Sequence, residues 1–265
     1  MHPSLPLLLP DVVALARAAG EEILALYAGE FTVTRKADDS PLTVADLRSQ
    51  RVISAGLARL TPDVPVISEE APVPPLTERS RWEWLWMVDP LDGTREFVER
   101  SGEFTVNIAL VHHHAPVLGV LHVPLTGIDY YAAVGPGAFR PGPGTVAEPI
   151  VARACIAGAP RLIASRSHRG DRLNGFFERV GPHGFEALGS AAKFGRVADG
   201  SADVYPRVGP TSEWDTAAGQ AIAEIAGAHV VGRDGKALRY NARETMVNPD
   251  FVCYADGSRP WHEYL

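Results

Sequence analysis

Trp84-Leu85-Trp86-Met87-Val88-Asp89-Pro90-Leu91-Asp92-Gly93-Thr94 is the run on which the reading of this chain turns. Five apolar residues bounded by turn formers predict a buried strand. Pro90 has no N–H for a ladder bond, so the strand is expected to stop there. Gly93 lets the backbone turn tightly and approach a ligand. Asp89 and Asp92 then converge beyond the strand end, with the amides of Gly93 and Thr94 pointing the same way. Oxygen donors beside free amides suit a divalent cation next to a phosphate.

Working outward, Val12, Ala16, Ala19, Ile23 and Leu26 share a helical face that Gly29 ends. Upstream, Leu5 to Leu9 is a short apolar run broken by Pro6 and Pro10. Phe31 to Arg35 alternates as a short strand, and Asp38 to Pro41 is a loop. Thr43 opens a second helix with Asp46 in its first turn, where the dipole favours a carboxylate. Val64 to Ile67 is a strand ending at Ser68-Glu69-Glu70, and 71–80 is a polar, Pro-rich loop. Phe104–Val111, Pro116–Val123 and Ile128–Val134 form a largely antiparallel meander, and 135–144 is Gly- and Pro-rich loop. The second half offers a strand at Arg161–Ser165, helices at Asp171–Val180, Ser190–Ala198 and Glu213–Ala226, and strands at Ala202–Tyr205, Ala228–Val231 and Phe251–Tyr254. The boundary between halves is placed near 150.

Bulk properties narrow the classes. The 265 residues, 46% apolar and 22% charged, suit a globular enzyme of one large domain or two intimate subdomains. A net charge of −7 without a basic run argues against a nucleic-acid polymer as partner. Cys155 and Cys253 fit neither a disulfide framework nor a compact metal site and read as thiols in a reducing compartment. No signal peptide and no 18-residue apolar span is evident.

Four acidic elements stand at element ends: Asp46, Glu69-Glu70, Asp89 with Asp92, and Asp215 in Glu213-Trp214-Asp215. Each alone reads as a helix-start, strand-end or turn carboxylate. Together they match the way α/β proteins gather ligands at strand ends. A calcium hand does not fit, because position twelve from Asp89 is Arg100 rather than Glu. His112-His113-His114 reads as the connection between two strands. Trp82, Trp84 and Trp86 read as core and flank residues beside the central strand.

The pattern Asp46, Glu69-Glu70, Asp89-Pro90-Leu91-Asp92-Gly93-Thr94 and Trp214-Asp215 resembles the signature of the Mg²⁺-dependent, lithium-sensitive phosphatases of the inositol monophosphatase superfamily. Gly102 to Leu110, Ser165-Arg166-Ser167-His168, Gly189-Ser190 with Lys193-Phe194, Tyr205-Pro206-Arg207 and Gly209-Pro210-Thr211 resemble its bacterial 3'(2'),5'-bisphosphate nucleotidase branch. The resemblance covers nearly the whole chain. It implies a layered α/β/α/β/α sandwich, in which residues 1–150 form an α+β subdomain carrying most metal ligands. Residues 151–265 form an α/β subdomain carrying Asp215 and the substrate-binding residues. Glu69, Asp89 and the Leu91 carbonyl are implied to hold one Mg²⁺, and Asp89, Asp92 and Asp215 a second. Asp46 with Thr94, helped by Glu69 or Glu70, is implied to orient and deprotonate a water. The amides of Gly93 and Thr94 are implied to bind the scissile phosphate. His168, Ser190, Lys193 and Arg207, with Asp215, are implied to receive the rest of the substrate. Ser190 and Lys193, three apart in a predicted helix, are expected to share a face. Arg95 stands where the branch usually has Lys, and Ala191 where a second Ser is common.

The activity implied is Mg²⁺-dependent hydrolysis of the 3'-phosphate of adenosine 3',5'-bisphosphate to AMP, and of its sulfated precursor. Attack is by water, with no covalent enzyme intermediate. The alternative is the same chemistry on inositol monophosphate or a sugar bisphosphate, and a phosphate-sensing module is the rival of a different class. The expected setting is sulfate assimilation in the cytoplasm, as a monomer or homodimer, with peripheral association at the inner membrane allowed.

Overall fold

The computed structural model describes residues 4–29, 33–35, 41–141, 146–153, 158–166 and 170–265. Phe31, the loop at 36–40, Cys155, Ser167 and His168 lie outside the described residues. In chain order the elements are α1 (Leu5–Tyr27), β1 (Val33–Arg35), β2 (Pro41–Thr43), α2 (Val44–Leu60), β3 (Val66–Ser68), α3 (Leu76–Arg79), β4 (Trp84–Asp92), α4 (Thr94–Val98), β5 (Thr105–His112), β6 (Ala115–Val123), β7 (Ile128–Ala133), β8 (Gly137–Pro141) and β9 (Ala147–Pro149). There follow β10 (Arg161–Ala164), α5 (Asp171–Val180), β11 (Gly184–Ala187), α6 (Ala192–Ala198), β12 (Val204–Arg207), α7 (Glu213–Ile225), β13 (His229–Gly232), β14 (Phe251–Tyr254) and a closing 3₁₀ turn, Trp261–Tyr264.

Two sheets carry the architecture. Strands β3 to β9 pair in chain order, β3 parallel to β4 and the rest antiparallel. The second sheet has the order β11-β10-β12-β14-β13, parallel from β11 to β12 and antiparallel around β14. Helices α1 and α2 cover the outer face of the first sheet, α6 and α7 lie between the sheets, and α5 with the 3₁₀ turn covers the far face of the second. The result is the α/β/α/β/α sandwich.

This layering explains the sequence pattern. Seven successive residues of β5, Thr105 to Val111, are buried because helices press on both faces, so the strand reads as a continuous run. Gly119 in β6 is where α7 comes closest: a Cβ there would run into the Ala218 carbonyl.

The structure corrects several expectations. The helix starts at Leu5, because Pro6 sits in its first turn, where a missing N–H costs nothing, and Pro10 forfeits one bond in the second. The loop 71–80 contains α3, anchored by buried Arg79. Its guanidinium donates to the Pro74, Arg243 and Glu244 carbonyls and to Asn241 Oδ1 at 2.6–3.0 Å. The segment after 135 supplies β8, next to the edge strand β9, and Gly184–Ala187 supplies the edge strand β11; both have weak apolar patterns. The helix expected from Ser190 begins at Ala192, and Ser190 precedes it at φ 53°. Ser190 and Lys193 therefore do not share a helical face.

Candidate active site

β4 does not stop at Pro90. Asp89 pairs with Asn107 and Asp92 with Thr105, so three steps along β4 match two along β5. One extra residue is a β-bulge, and it absorbs Pro90, whose missing N–H would otherwise break the ladder. Side chains three apart on a regular strand face opposite sides; the extra residue returns Asp92 to the side of Asp89. Thr105 Oγ1 and Asn107 Nδ2, two apart on β5, accordingly both donate to Asp92 Oδ2 at 3.4 Å. The bulge is tied down from α2, where Ser49 Oγ donates to the Pro90 carbonyl at 2.7 Å.

Two helix N-termini bring further carboxylates. Asp46 is the third residue of α2. Its Oδ2 accepts from the Thr43 N–H at 2.8 Å and the Thr43 hydroxyl at 2.7 Å. Asp215 is the third residue of α7, and its Oδ2 accepts from the Ser212 N–H at 2.9 Å. In both capping boxes one oxygen caps the helix, which leaves the other for the cleft. β3 contributes Glu69, whose N–H donates to the Val88 carbonyl at 3.2 Å and so extends the parallel pairing past Ser68.

Glu69, Asp89 and Asp215 each place a carboxylate oxygen within 4.8 Å of the others. Burial, reinforced by Glu69, Asp92 and Asp215, pushes Asp89 well above the usual carboxylate range. Burial with Asp92 and Glu69 does the same to Asp215. Burial also raises Asp92, partly offset by the nearby Lys193 ammonium. Among the described residues Asp89 accepts one hydrogen bond, from the Leu91 N–H at 3.0 Å. Gathered negative charge with so little compensation, presented through oxygen alone, fits a hard divalent cation. Asp46, Asp92 and Glu70 are not members of that close trio.

Beside the trio, Thr94 Oγ1 reaches Asp46 Oδ1 at 3.2 Å and the Leu91 carbonyl at 3.1 Å. One hydroxyl proton serves two acceptors, and the oxygen keeps lone pairs to receive a proton from water. Burial raises Asp46 against the opposing pull of its Thr43 hydrogen bonds. Gly93 begins α4 at φ 90°, and a Cβ there would meet the Glu103 carbonyl at 2.9 Å. α4 spans five residues, so it adds little dipole to the Gly93 and Thr94 amides.

The opposite wall of the cleft comes from the second half. Asp92, Gly93 and Asp215 line one cavity with Ser165, Ser190, Lys193, Tyr205, Arg207 and Thr211. Lys193 is buried; its Nζ donates to the Leu188 carbonyl at 3.2 Å and to the Ser190 carbonyl, and lies 5.2 Å from the Tyr205 ring centre. Burial lowers it to about 8 against the pull of Asp92. Arg207 donates to the Pro210 carbonyl at 2.9 Å. Among the described residues, the buried Arg207 Nε and Thr211 Oγ1 have no hydrogen-bond partner, as is also true of Arg140 and Arg196 Nε away from the cleft.

Sequence reading gave Asn107, Tyr205 and Thr211 no role of their own, although all three lie in stretches that carry the resemblance. Asn107 carried a signal, being a lone amide in the apolar run Val106 to Val111. Tyr205 and Thr211 were marked only as neighbours of Arg207 and Pro210 in such motifs, and the cavity shows what they face.

The family model described as the inositol monophosphatase family matches residues 8–263. The chain is 49% identical over 246 residues to the 3'(2'),5'-bisphosphate nucleotidase CysQ of Salmonella typhimurium, covering 92% of this chain and 98% of that one. The crystal structure of CysQ from Bacteroides thetaiotaomicron superposes with a TM-score of 0.79 at 39% identity, over 92% of this chain and 96% of that one. The inositol monophosphatase of Anabaena (Nostoc) sp. PCC 7120 gives 0.75 at 25% identity, over 95% and 92%.

Proposed function

Because this chain belongs to the inositol monophosphatase family, we propose that it is a 3'(2'),5'-bisphosphate nucleotidase. It releases the 3'-phosphate of adenosine 3',5'-bisphosphate to leave AMP, and acts likewise on the sulfated precursor. One observation carries the reading: the Glu69, Asp89 and Asp215 trio lies against a cavity whose other wall holds Lys193 and Arg207. One side of the cleft suits a cation bound to the scissile phosphate, and the other suits a second anion. An inositol monophosphate has no second phosphate for that wall.

Glu69, Asp89 and the Leu91 carbonyl would hold one Mg²⁺, and Asp89, Asp92 and Asp215 another. When bound, the cations supply the charge that draws a nucleophilic water and the anionic ester together. The protein does the rest. Thr94 orients the attacking water through its hydroxyl, and Asp46, polarised by its contact with Thr94, takes up the proton. Glu69 and Glu70 steady that water from the strand end. The amides of Gly93 and Thr94 hold the phosphoryl oxygens. Ser190, Lys193 and Arg207, with His168, receive the nucleotide's other phosphate and sugar. Water attacks directly, and no Ser or Cys is acylated or phosphorylated.

The test is kcat/KM with Mg²⁺ for adenosine 3',5'-bisphosphate, inositol 1-phosphate and fructose 1,6-bisphosphate. A preference for the nucleotide of about 100-fold or more is expected, which is near 3 kcal/mol. Equal or reversed preference overturns the substrate assignment, and no release from any ester overturns the enzymatic one.

A further inference from the structure

At the end of β4 away from the acidic cleft, His112-His113-His114 joins β5 to β6. His113 and His114 both take left-handed backbone angles, φ 47° and 69°, which are uncommon for residues other than glycine. The turn is held there from several sides. The His113 N–H donates to the Glu83 carbonyl at 3.0 Å, and the Tyr240 N–H to the His114 carbonyl at 3.0 Å. Arg239 donates to the His113 carbonyl at 3.1 Å. The His114 ring is drawn aside, its Nδ1 2.9 Å from the Tyr240 carbonyl.

The other two rings converge. His112 Nε2 lies 3.1 Å and His113 Nε2 3.5 Å from the same oxygen, Glu83 Oε1. One ligating atom from each of the three residues lies within 4.8 Å of the others. The His112 ring stacks on Trp84 with centroids 3.8 Å apart, which fixes its plane. Tetrahedral bonds of about 2.0–2.1 Å to zinc set ligand atoms about 3.3 Å apart. The two separations to Glu83 Oε1, 3.1 and 3.5 Å, bracket that spacing. Two imidazoles and one carboxylate form the donor set of a borderline cation rather than of Mg²⁺.

We propose that Glu83, His112 and His113 form a second cation site, selective for a zinc-type ion, with the fourth position open to water. It is separate from the phosphatase cleft. Trp84 pairs with His112 and Asp89 with Asn107, so the two sites stand five residues apart along the sheet, about 17 Å at about 3.4 Å per residue. A cation here clamps the β5–β6 turn to the start of β4 without touching the reacting groups.

The test titrates Zn²⁺ into tag-free, full-length protein by calorimetry, with excess Mg²⁺ occupying the acidic cleft. Wild type is expected to bind one zinc with Kd tighter than about 100 µM. Glu83→Gln and the double variant His112→Ala/His113→Ala are expected to lose that event or weaken it at least about tenfold. Zinc should raise the Tm of wild type but not of the variants, and phosphatase activity in Mg²⁺ alone should be unchanged in both variants. Circular dichroism checks that the variants fold; the Glu83, His112 and His113 side chains are 47%, 30% and 69% exposed, so folding is expected to survive, with the loss of the His112–Trp84 stack the largest cost. Absence of that binding in wild type, or undiminished binding in folded variants, overturns the site.

Discussion

Individual side chains give the cleft an acidic wall and a basic one, and the role proposed for each can be probed by one substitution. Asp92 holds three donors on a single oxygen: the Thr105 hydroxyl, the Asn107 amide and the Ala191 N–H at 2.5 Å. Asp92→Asn keeps the shape and removes the charge. Turnover is expected to fall about 100- to 1000-fold, as when one preorganised electrostatic group is lost, with the far-ultraviolet dichroism unchanged; retained kcat would remove Asp92 from the metal set. Arg207, with its unpartnered Nε, is expected to act through binding. Arg207→Ala should raise KM for the bisphosphate about tenfold or more and spare that of a monophosphate, because a charge-assisted hydrogen bond is worth about 1.5–3 kcal/mol. Equal effects on both substrates would mean that Arg207 does not read the second phosphate. At this scale the acidic residues stood out in the sequence because each carboxylate sits beside a turn former or a helix start. Lys193 was picked out by resemblance alone: by pattern and spacing, a buried ammonium above Tyr205 looks like any helix lysine.

The elements do their work at their ends. Asp46 and Asp215 occupy the third position of α2 and α7 and serve cap and cleft at once. Thr43→Ala should therefore act twice. Losing the N-cap costs about 1 kcal/mol in urea unfolding. Losing one donor to Asp46 Oδ2 should also lower kcat, by about tenfold if the misplacement costs near 1.4 kcal/mol. A stability loss with unchanged kcat would show that the cap does not position Asp46. The start of α2 was legible because Thr43 precedes the apolar periodicity with Asp46 in the first turn; at α7 the helix was read from Glu213, and the structure adds the Ser212 cap. The bulge in β4 was not. Pro90 announces that the ladder must be interrupted, but whether the chain ends or slips by one residue depends on β5 pairing on the far side.

For the molecule as a whole, stacking five layers leaves some ionisable groups largely shielded from water. Glu224, near the end of α7, accepts from Gln220 Nε2 at 3.0 Å, and burial raises it from 4.5 to about 7. The folded protein thus prefers the protonated form. Its contribution to stability is complete below pH 4.5 and is lost as pH rises through about 7. The shift sets an upper bound of about 3 kcal/mol. Glu224→Gln should therefore raise Tm more at pH 8 than at pH 5; an equal gain at both would show that Glu224 is not the group responsible. Within the described residues no helix is long and apolar enough to cross a membrane.

The local sequence determined the starts of α2, α5 and α7, which strands are buried on both faces, and which carboxylates stand at element ends. Capping, proline geometry and hydrophobic period act between near neighbours and need no knowledge of the rest of the chain. Tertiary structure alone decided that a one-residue bulge turns Asp92 to the side of Asp89. It alone set Lys193 and Arg207 across the cleft from Glu69, and closed two of three consecutive histidines on Glu83. Those outcomes depend on strand register and layer packing, where segments distant in sequence meet, and the chain fixes them only when it closes on itself.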